Sequence, residues 1–548
     1  MKRLFVLLLL ICLLVPAITL VNPSIASATT KQILPGGYYD LLSASATEYN
    51  ALLGGYLWTN TESARWQGTS PPGKHRKLKV DLVNSSGNAA SPGAGKSYAF
   101  TVMVDSGTTA LTLTISGTNT SGSDVAHDID LVGGQTISLR CVPTGTPTTV
   151  YARWSTEFES TNSAEYWFPN GVSGGYGTYY TALGGRNTSN YDASAAIAYN
   201  PMPCNITISD LYAIQATTST SDSVITVYSG ADKAITCTIT AGTLENSDLI
   251  HSESPVKGEL WCIKHVNAQS ADRYTALGLT GTTGTDGESV LLGVNSNVLN
   301  VSTTEYNIPV GGLSYIPAWQ STAEHQSWQR FDACTLRSFY VDLSAAPGSG
   351  GDQYALSTRD DRATVQTCTI VDAATTNEDT TDAVIADGSM VNLMCVPSNT
   401  PSATPYARWG WVMYIEPAGG QCIEDISEAQ SSYDFGTIVA SGSKASGLTY
   451  FTLTNSSGGA VSVAITATDM VGTGTDWTVS SVPGADQYTI KAGTASAYSI
   501  TLSGTPATLF SSIVDSGTKP WGLKLWAPTS FSNGNVKSGT VTVTATCL

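Results

Sequence analysis

The chain has 548 residues and a formal net charge of −17, and only 13% of its residues are charged. The negative charge argues against binding nucleic acid or an anionic membrane surface, since both require a dense field of basic residues. The charged fraction is about half that of an average globular protein, and the 52 glycines indicate many tight turns. This composition is typical of an all-β protein with Thr-, Val- and Ile-rich strands.

Residues 1–28 have the pattern of a secretory signal. A basic start precedes an apolar run, and Ala26-Ser27-Ala28 supplies the small residues that signal peptidase recognises. The apolar run continues beyond Pro16 and is nearly long enough to span a bilayer, so an uncleaved anchor is the alternative. Membrane contact is expected only through such an anchor. We expect a soluble mature protein that is secreted or held at the cell surface.

A short signature marks three repeats. Thr47-Glu48-Tyr49-Asn50 returns as Thr304-Glu305-Tyr306-Asn307, and each copy is followed closely by a Gly-Gly pair. A fainter copy, Tyr179-Tyr180 with Gly184-Gly185, lies between them. The spacing has the size of a whole domain and is too long for a solenoid repeat, which predicts three tandem modules. The predicted modules comprise residues 29–160, 161–287 and 288–417.

The first module alternates apolar and polar residues with period two, and Gly, Pro, Asn or Asp interrupts each run. This pattern predicts β-strands and no helix. The clearest predicted strands are Leu78–Leu82, Tyr98–Val104, Leu111–Ile115, Ile137–Pro143 and Tyr151–Trp154. With the remaining segments, we expect eight or more strands in a β-sandwich.

The third module repeats the landmarks of the first in the same order, among them Val341-Asp342-Leu343 and Tyr406-Ala407-Arg408-Trp409. The second module is divergent, because it keeps the Gly-Gly pair but lacks the Tyr-Ala-Arg-Trp string. Its last segment, Gly278–Gly287, is rich in Gly and Thr and predicts a flexible linker.

Residues 418–548 show a different pattern, with shorter strands typical of a separate small sandwich. The predicted strands are Tyr433–Ile438, Tyr450–Asn455, Val461–Thr466 and Val541–Thr546. The Phe435-Gly436 pair followed by Phe451–Asn455 resembles bacterial extracellular immunoglobulin-like domains. The resemblance implies an immunoglobulin-like β-sandwich here.

Cysteines of the second and third modules fall into matched columns, and the first module has lost two of these columns together. Residues lost as a pair are expected to be bonded as a pair, and the C-terminal domain carries its own two cysteines. The predicted disulfides are Cys204–Cys237, Cys334–Cys368 and Cys422–Cys547. The remaining cysteines, Cys141, Cys262 and Cys395, are expected to be buried thiols. Neither a Cys-x-x-Cys motif nor a paired Cys/His spacing is present, so no zinc site is predicted.

Four tryptophans are the candidate ligand-binding residues. Trp58 and Trp66 of the first module correspond to Trp319 and Trp328 of the third, in the least strand-like part of each. Exposed tryptophans would stack on sugar rings or a partner surface, whereas buried ones would close one end of a sandwich. The neighbouring Gly-Gly turns favour the buried alternative.

Motifs for catalysis lack the structural context that they need. Gly171–Gly175 fits the Gly-x-Ser-x-Gly nucleophile pattern, and Gly95-Lys96-Ser97 fits the end of a phosphate-binding loop, but no helix is predicted after either. No histidine recurs in all three modules. We therefore predict no catalytic residue, no metal and no cofactor.

Two charged features leave alternatives open. The basic run Lys74–Lys79 would split its charges between the two faces of a strand, which favours a solvated edge over a site for an anionic polymer. Asp124, Asp248 and Asp379 occupy similar places in polar loops, where calcium is the alternative to simple solvation.

The string order Val80–Leu82, Pro92–Gly95, Tyr98–Phe100 and Tyr151–Trp154 resembles a module found in tandem in phage-associated and environmental bacterial proteins. The resemblance implies jelly-roll sandwiches like those of virion appendages and trimeric ligand domains, and it implies no catalytic residues. We expect a non-catalytic structural or adhesion protein with a surface glycan or a protein as partner. A carbohydrate- or receptor-binding phage-type appendage and a glycan-active enzyme are the alternatives, and homo-oligomerisation is open.

Overall fold

A computed structural model describes most of the chain as two compact units, Ala28–Pro417 and Ala418–Leu548, which we call the ring unit and the C-terminal unit. The described residues are 29–174, 177–186, 193–267, 273–311, 319–321, 323–415, 426–455, 461–494, 497–513 and 517–547. The predicted signal at residues 1–28 therefore lies outside the described residues. Among the helices of the described part, none has the length and apolarity needed to cross a membrane.

The first sandwich contains two sheets, ordered β1-β9-β4-β7 and β2-β8-β5-β6, with β3 pairing with β8. Its strands are β1 Thr29–Leu41, β2 Glu48–Asn50, β3 Gln67–Gly68, β4 Gly73–Val83, β5 Gly93–Val104, β6 Gly107–Gly117, β7 Ser121–Leu131, β8 Thr136–Thr144 and β9 Tyr151–Ser163. Alternate residues of β6, Leu111, Leu113 and Ile115, are buried between the sheets. Period two in the sequence is thus period two in burial.

The second sandwich has the sheets β12-β10-β19-β14-β17 and β11-β18-β15-β16, with β13 pairing with β18. Its strands are β10 Glu165–Gly174, β11 Gly177–Thr181, β12 Gly185–Arg186, β13 Asn200–Pro201, β14 Thr207–Gln215, β15 Ser223–Tyr228, β16 Asp232–Ile239, β17 Glu245–Glu253, β18 Leu260–Asn267 and β19 Arg273–Thr282. Side chains from both sheets share one hydrophobic core.

The third sandwich has the sheets β20-β29-β23-β26, where β27 also pairs with β23, and β21-β28-β24-β25, where β22 pairs with β28. Its strands are β20 Glu288–Val298, β21 Glu305–Asn307, β22 Gln329–Arg330, β23 Cys334–Leu343, β24 Gln353–Asp360, β25 Ala363–Val371, β26 Thr376–Asp379, β27 Ala383–Ile385, β28 Met390–Ser398 and β29 Tyr406–Tyr414. Short helical turns precede β3, β13 and β22 at Glu62–Arg65, Ala195–Ala198 and Glu324–Ser327.

The three sandwiches share one topology. We count the strands of each described sandwich from one to eight in chain order, leaving out the two-residue strands and treating β26 and β27 as one edge. In this count the sheets run 1-8-3-6 and 2-7-4-5. Strands one to four thus pair with strands eight to five, as in a hairpin that has been rolled up. This is the jelly-roll arrangement, and the antiparallel sheets confirm the predicted all-β sandwich class.

The sandwiches pack head to tail around one another. In each sandwich, a two-residue strand between strands two and three docks on the next sandwich. β3 contacts β10 and β19, β13 contacts β20 and β29, and β22 contacts β1 and β9. The first strands β1, β10 and β20 also contact one another. One chain therefore forms the closed, threefold-like ring that homotrimers form from three copies.

The three docking contacts occupy equivalent places but use different chemistry. Between the first and second sandwiches, the Ser70 hydroxyl lies 2.8 Å from that of Thr280. Between the third and first, Arg330 donates to Asp81 over 2.7 Å and to Ser155 over 2.6 Å. The closing contact is thus charged, whereas the first contact is neutral.

Glycine at the first contact serves packing. The predicted flexible linker Gly278–Gly287 is wrong, because its first residues belong to β19 and its last precedes β20 directly. A Cβ added to Gly278 would lie 2.7 Å from the carbonyl carbon of Thr69 in the first sandwich. The backbones approach so closely here that no side chain fits between them.

The C-terminal unit is a smaller β-sandwich whose two main sheets, β30-β32-β39-β36-β35 and β38-β33-β41, share one core. In the first of these sheets, β31 also pairs with β39 and β37 with β36. Its strands are β30 Ile426–Glu428, β31 Ser443–Ala445, β32 Phe451–Asn455, β33 Val461–Ala467, β34 Val471–Gly472, β35 Thr478–Val479, β36 Gln487–Thr494, β37 Ala497–Thr501, β38 Ala507–Ile513, β39 Thr518–Trp526, β40 Lys537–Ser538 and β41 Val541–Cys547. The predicted strand Tyr433–Ile438 is wrong, since that segment is irregular. The Tyr433 side chain attaches it to the sheet, because its hydroxyl donates to the Ala445 carbonyl of β31.

The close approach at Gly278 predicts a specific sensitivity to added volume. Gly278→Ala is expected to destabilise the ring unit by about 1 to 3 kcal/mol, because the new methyl group overlaps backbone that cannot move away. Gly504→Ala is the control, since a Cβ there meets nothing within 4 Å. Urea unfolding of both variants measures the difference, and equal midpoints would contradict the packing role of Gly278.

Candidate functional site

The candidate tryptophans Trp58 and Trp319 occupy equivalent corners of the first and third sandwiches. They are 8% and 7% exposed, respectively. The Trp58 ring meets Trp154 edge-on with centroids 5.6 Å apart, and Trp319 meets Trp409 in the same way at 5.8 Å. Both rings therefore close the end of a sandwich, as the buried alternative predicts.

Trp66 and Trp328 lie beside the docking contacts between sandwiches. Trp328 is 7% exposed, and the Arg362 guanidinium lies 5.2 Å from the centre of its ring. Trp66 is half-buried, and its carbonyl oxygen faces Gly171 of the second sandwich so closely that a Cβ there would overlap it. The candidate tryptophans are thus brought to two kinds of packed corner, and none stands as an open stacking platform.

Each Gly-Gly corner is held by a side-chain carboxamide that the sequence reasoning missed. Gln67 accepts hydrogen bonds from the backbone N–H groups of Leu52 and Leu53 over 2.9 and 3.0 Å. Gln329 accepts from Val310 in the same way, over 3.1 Å, and also donates to the Gly54 carbonyl of the first sandwich. The repeated Trp-Gln pair, at 66–67 and 328–329, is the sequence signal that could have revealed this contact.

The tryptophan of the Tyr-Ala-Arg-Trp string supports the same corner. Trp154 donates its indole N–H to the Leu52 carbonyl over 2.9 Å, and Trp409 donates to Pro309 over 2.6 Å. Gly36 lies opposite Trp154 on β1, and a Cβ there would overlap the indole ring. The indole thus fills the space that the glycine leaves.

The second sandwich replaces this pair by a compensated exchange. Its equivalent register pairs Asn170 of β10 with Leu277 of β19. Asn170 donates its amide to the Ala182 carbonyl of the same corner, one residue before Leu183, which corresponds to Leu52 by its strand register. A larger residue on one strand and a smaller one on the other preserve the filled volume, and the asparagine still supplies a side-chain donor to the corner backbone.

The arginine of the same string joins neighbouring sandwiches. Arg153 is fully buried and donates to the His325 carbonyl, in the helical turn of the third sandwich, over 3.2 Å. Arg408 donates to the Ala196 carbonyl in the helical turn of the second sandwich and to Asp342 in its own. The strongest repeated string is therefore explained by packing and docking.

The basic run Lys74–Lys79 is neutralised by acidic partners. Lys79 lies 2.8 Å from Asp387, and Arg76 and Lys77 lie 2.9 and 2.8 Å from Glu157. Lys74 lies 3.8 Å from Asp128. With each cation beside a carboxylate, the run leaves little positive field for an anionic polymer.

Each sandwich has one equivalent aspartate that joins the edge strands of its two sheets. Asp124 on β7 accepts from the Thr112 N–H on β6 over 3.0 Å, and Asp248 and Asp379 accept from Thr236 and Thr367 over 2.9 and 2.7 Å. Burial raises the pKa of Asp124, but backbone N–H groups and His127 outweigh burial and hold that pKa below its usual value.

These aspartates fit a structural role better than calcium. The carboxylate oxygens of Asp124 already accept N–H groups from Thr112, Ala126 and His127. A carboxylate whose oxygens face N–H donors presents few lone pairs to a cation. Among the described residues, no group of three or more His, Cys, Asp or Glu side chains is placed to hold a metal ion.

The predicted disulfides of the second and third modules are absent from the structure, where Cys204, Cys237, Cys334 and Cys368 are thiols. The Cys368 sulfur donates to the Phe339 carbonyl over 2.8 Å. Phe339 lies five residues beyond Cys334 along β23, roughly 15 Å at the rise of a strand. A disulfide needs Cα atoms within about 7 Å, so the two thiols lie too far apart.

The error came from aligning the cysteines by sequence spacing. Asp210 and Ser338 are the bulge residues of β14 and β23, and both have positive φ. In that shared register Cys334 aligns with Ile206 and not with Cys204. The remaining thiols, Cys141, Cys262 and Cys395, are buried as predicted. Cys422, and with it the predicted Cys422–Cys547 bridge, lies outside the described residues.

The two catalytic motifs lie on strands. Gly171–Gly174 belongs to β10 and Gly95–Ser97 to β5. A nucleophile elbow and a phosphate-binding loop both need a helix that begins after the turn.

A scan against protein-family models finds no match to the chain, and a search of curated proteins finds no significant match.

The aspartate contact predicts a loss of stability without a loss of shape. Asp124→Asn keeps the size of the side chain but removes the charge that strengthens its N–H contacts, so we expect a loss of about 2 kcal/mol. Asp130→Asn on the same strand is the control, because its side chain is 87% exposed. Chemical unfolding should separate the two variants, and an equal effect of both would refute the contact's contribution.

His75 predicts an acid-dependent loss of stability. The side chain is fully buried, and burial lowers its pKa from 6.5 to about 3. As the pH falls below 6.5 the unfolded chain binds the proton first, so stability declines by up to about 1.4 kcal/mol per pH unit until the folded pKa is reached. His75→Leu, which copies Leu336 of the third sandwich, should flatten that decline in urea titrations between pH 7 and 4. Parallel curves for both proteins would contradict the assignment.

Proposed function

We propose that the protein is a non-catalytic structural or adhesion protein that acts outside the cytoplasmic membrane, secreted or at the cell surface. The observation that carries this proposal is the head-to-tail ring of three jelly rolls. Ring closure uses the buried arginines of the repeated strings, together with Trp66 and Trp328, for packing between sandwiches. A rigid body with repeated outer edges suits spacing or multivalent contact better than it suits chemistry.

The outer edges of the ring unit supply a surface for such contact. An edge strand of each sandwich carries an exposed apolar side chain. These are Val125, Ile250 and Val384, which are 62%, 89% and 76% exposed, respectively. In the first two sandwiches the exposed side chains lie on the bulge that the aspartate holds. A bulged edge resists pairing with a further strand, so these side chains favour side-chain contact with a partner over sheet extension.

A carbohydrate- or receptor-binding appendage of viral type is the second candidate. The ring favours it, because three sandwiches in one chain reproduce the arrangement of a trimer of separate copies. Copurification with virus particles would support this candidate, whereas recovery only in the secreted or cell-surface fraction would support the first.

Binding without turnover is the expected outcome for the chain from residue 29 to residue 548. We expect it to bind a subset of glycans on an array, or intact bacterial cells, and to leave those glycans chemically unchanged after prolonged incubation. Mass spectrometry of the incubated glycans measures turnover directly. Product formation that one Asp→Asn or Glu→Gln substitution abolishes would overturn the non-catalytic proposal in favour of a glycan-active enzyme.

A further inference from the structure

Two lysines and a tryptophan of the C-terminal unit form a cluster on the outer face of its larger sheet. Lys491 on β36 lies directly opposite Lys524 on β39, and Trp526 follows on the same face. Their neighbours Ile490 and Leu525 are buried in the core, so the alternation of the strands turns the cluster outward. We call Lys491, Lys524 and Trp526 the lysine pair site.

The two ammonium groups share one aromatic ring. The Lys491 nitrogen lies 5.5 Å and the Lys524 nitrogen 4.7 Å from the centre of the Trp526 ring. Cation–π attraction of this kind is favourable and helps to hold each ammonium over the ring. The ring therefore keeps two positive charges near each other.

Like charges directly opposite each other on neighbouring strands destabilise a sheet. In the ring unit the cations of Lys74–Lys79 each have a carboxylate within 4.0 Å. Within the described residues, neither Lys491 nor Lys524 has an acidic partner at that distance, although the whole chain carries a net charge of −17. An unneutralised pair in such an acidic chain favours a bound anion.

We propose that the lysine pair site binds an acidic glycan through the carboxylates of its sugars. Both ammonium groups are donors, and the half-buried Trp526 adds an indole N–H that bonds to no described residue. In the same rows of the sheet, Ser443 of β31 lies opposite Trp526, and Thr501 of β37 lies opposite Lys491. Hydroxyl groups on both sides suit the hydroxyl groups of a sugar chain.

An acidic glycan fits the site better than nucleic acid does. Nucleic acid carries a dense line of phosphates and needs a long basic groove, whereas this site offers two cations on a strongly acidic protein. The proposal rests on the adhesion function proposed above and names the class of ligand for it.

The test is binding of oligogalacturonate to the immobilised chain 29–548, compared with a neutral maltooligosaccharide of the same length. We expect oligogalacturonate to bind more tightly and its affinity to fall with added salt. Lys491→Gln/Lys524→Gln should weaken binding more than about tenfold, because two charge-assisted contacts are lost. Lys491→Arg/Lys524→Arg should retain binding, and Lys519→Gln, elsewhere on β39, should change it less than about twofold.

Several outcomes would overturn the proposal. These are failure to bind oligogalacturonate, equal binding of the neutral oligosaccharide, and unchanged affinity of the double glutamine variant. Binding of single-stranded DNA that exceeds oligogalacturonate binding and is lost in that variant would assign the site to nucleic acid instead. Glycan binding on the array that survives the double substitution would leave the adhesion function standing and remove only this site.

Discussion

The ring unit depends on one constraint: the connection between strands two and three of each sandwich is packed against the next sandwich. That connection carries the helical turn, the corner tryptophan where present, and the carboxamide that holds the Gly-Gly backbone. Because Gln329 bonds both to its own corner and to Gly54 of the first sandwich, the same side chain shapes a module and joins two modules. Folding of each sandwich and closure of the ring are therefore coupled through the same few hydrogen bonds.

Divergence of the second sandwich illustrates how such coupling restricts change. Asn170 and Leu277 stand where the other sandwiches have the Gly-Trp pair, and the exchange keeps the filled volume and a side-chain donor to the corner backbone. Either change alone would have left an unpaired carbonyl or an overlap in a closely packed interior. Sequence identity was lost while the physical contact was kept, which explains why the signature is faint in this module.

Local features of the fold could be predicted from the sequence, and contacts between modules could not. Strands such as Leu111–Ile115 are recognisable in the sequence by period two, because each buries alternate residues against its own partner sheet. The docking strands β3, β13 and β22 have two residues each, too few to show any period. The cysteine pairing failed for a related reason, since Cys204 and Cys334 lie two positions apart in the register that the shared bulge defines, and sequence spacing alone does not reveal this. The lysine pair site could not be predicted either, because it depends on the register in which β36 and β39 pair.

The charged contact that closes the ring has a consequence for the order of assembly. Arg330 and its partners Asp81 and Ser155 are separated by long stretches of chain. During synthesis or export, the polar face of the first sandwich that carries Asp81 emerges long before the arginine that covers it. A polar, solvated face can wait in water, whereas an apolar face would invite aggregation during the delay. The chain thus places a charged contact at the junction whose two sides are synthesised furthest apart.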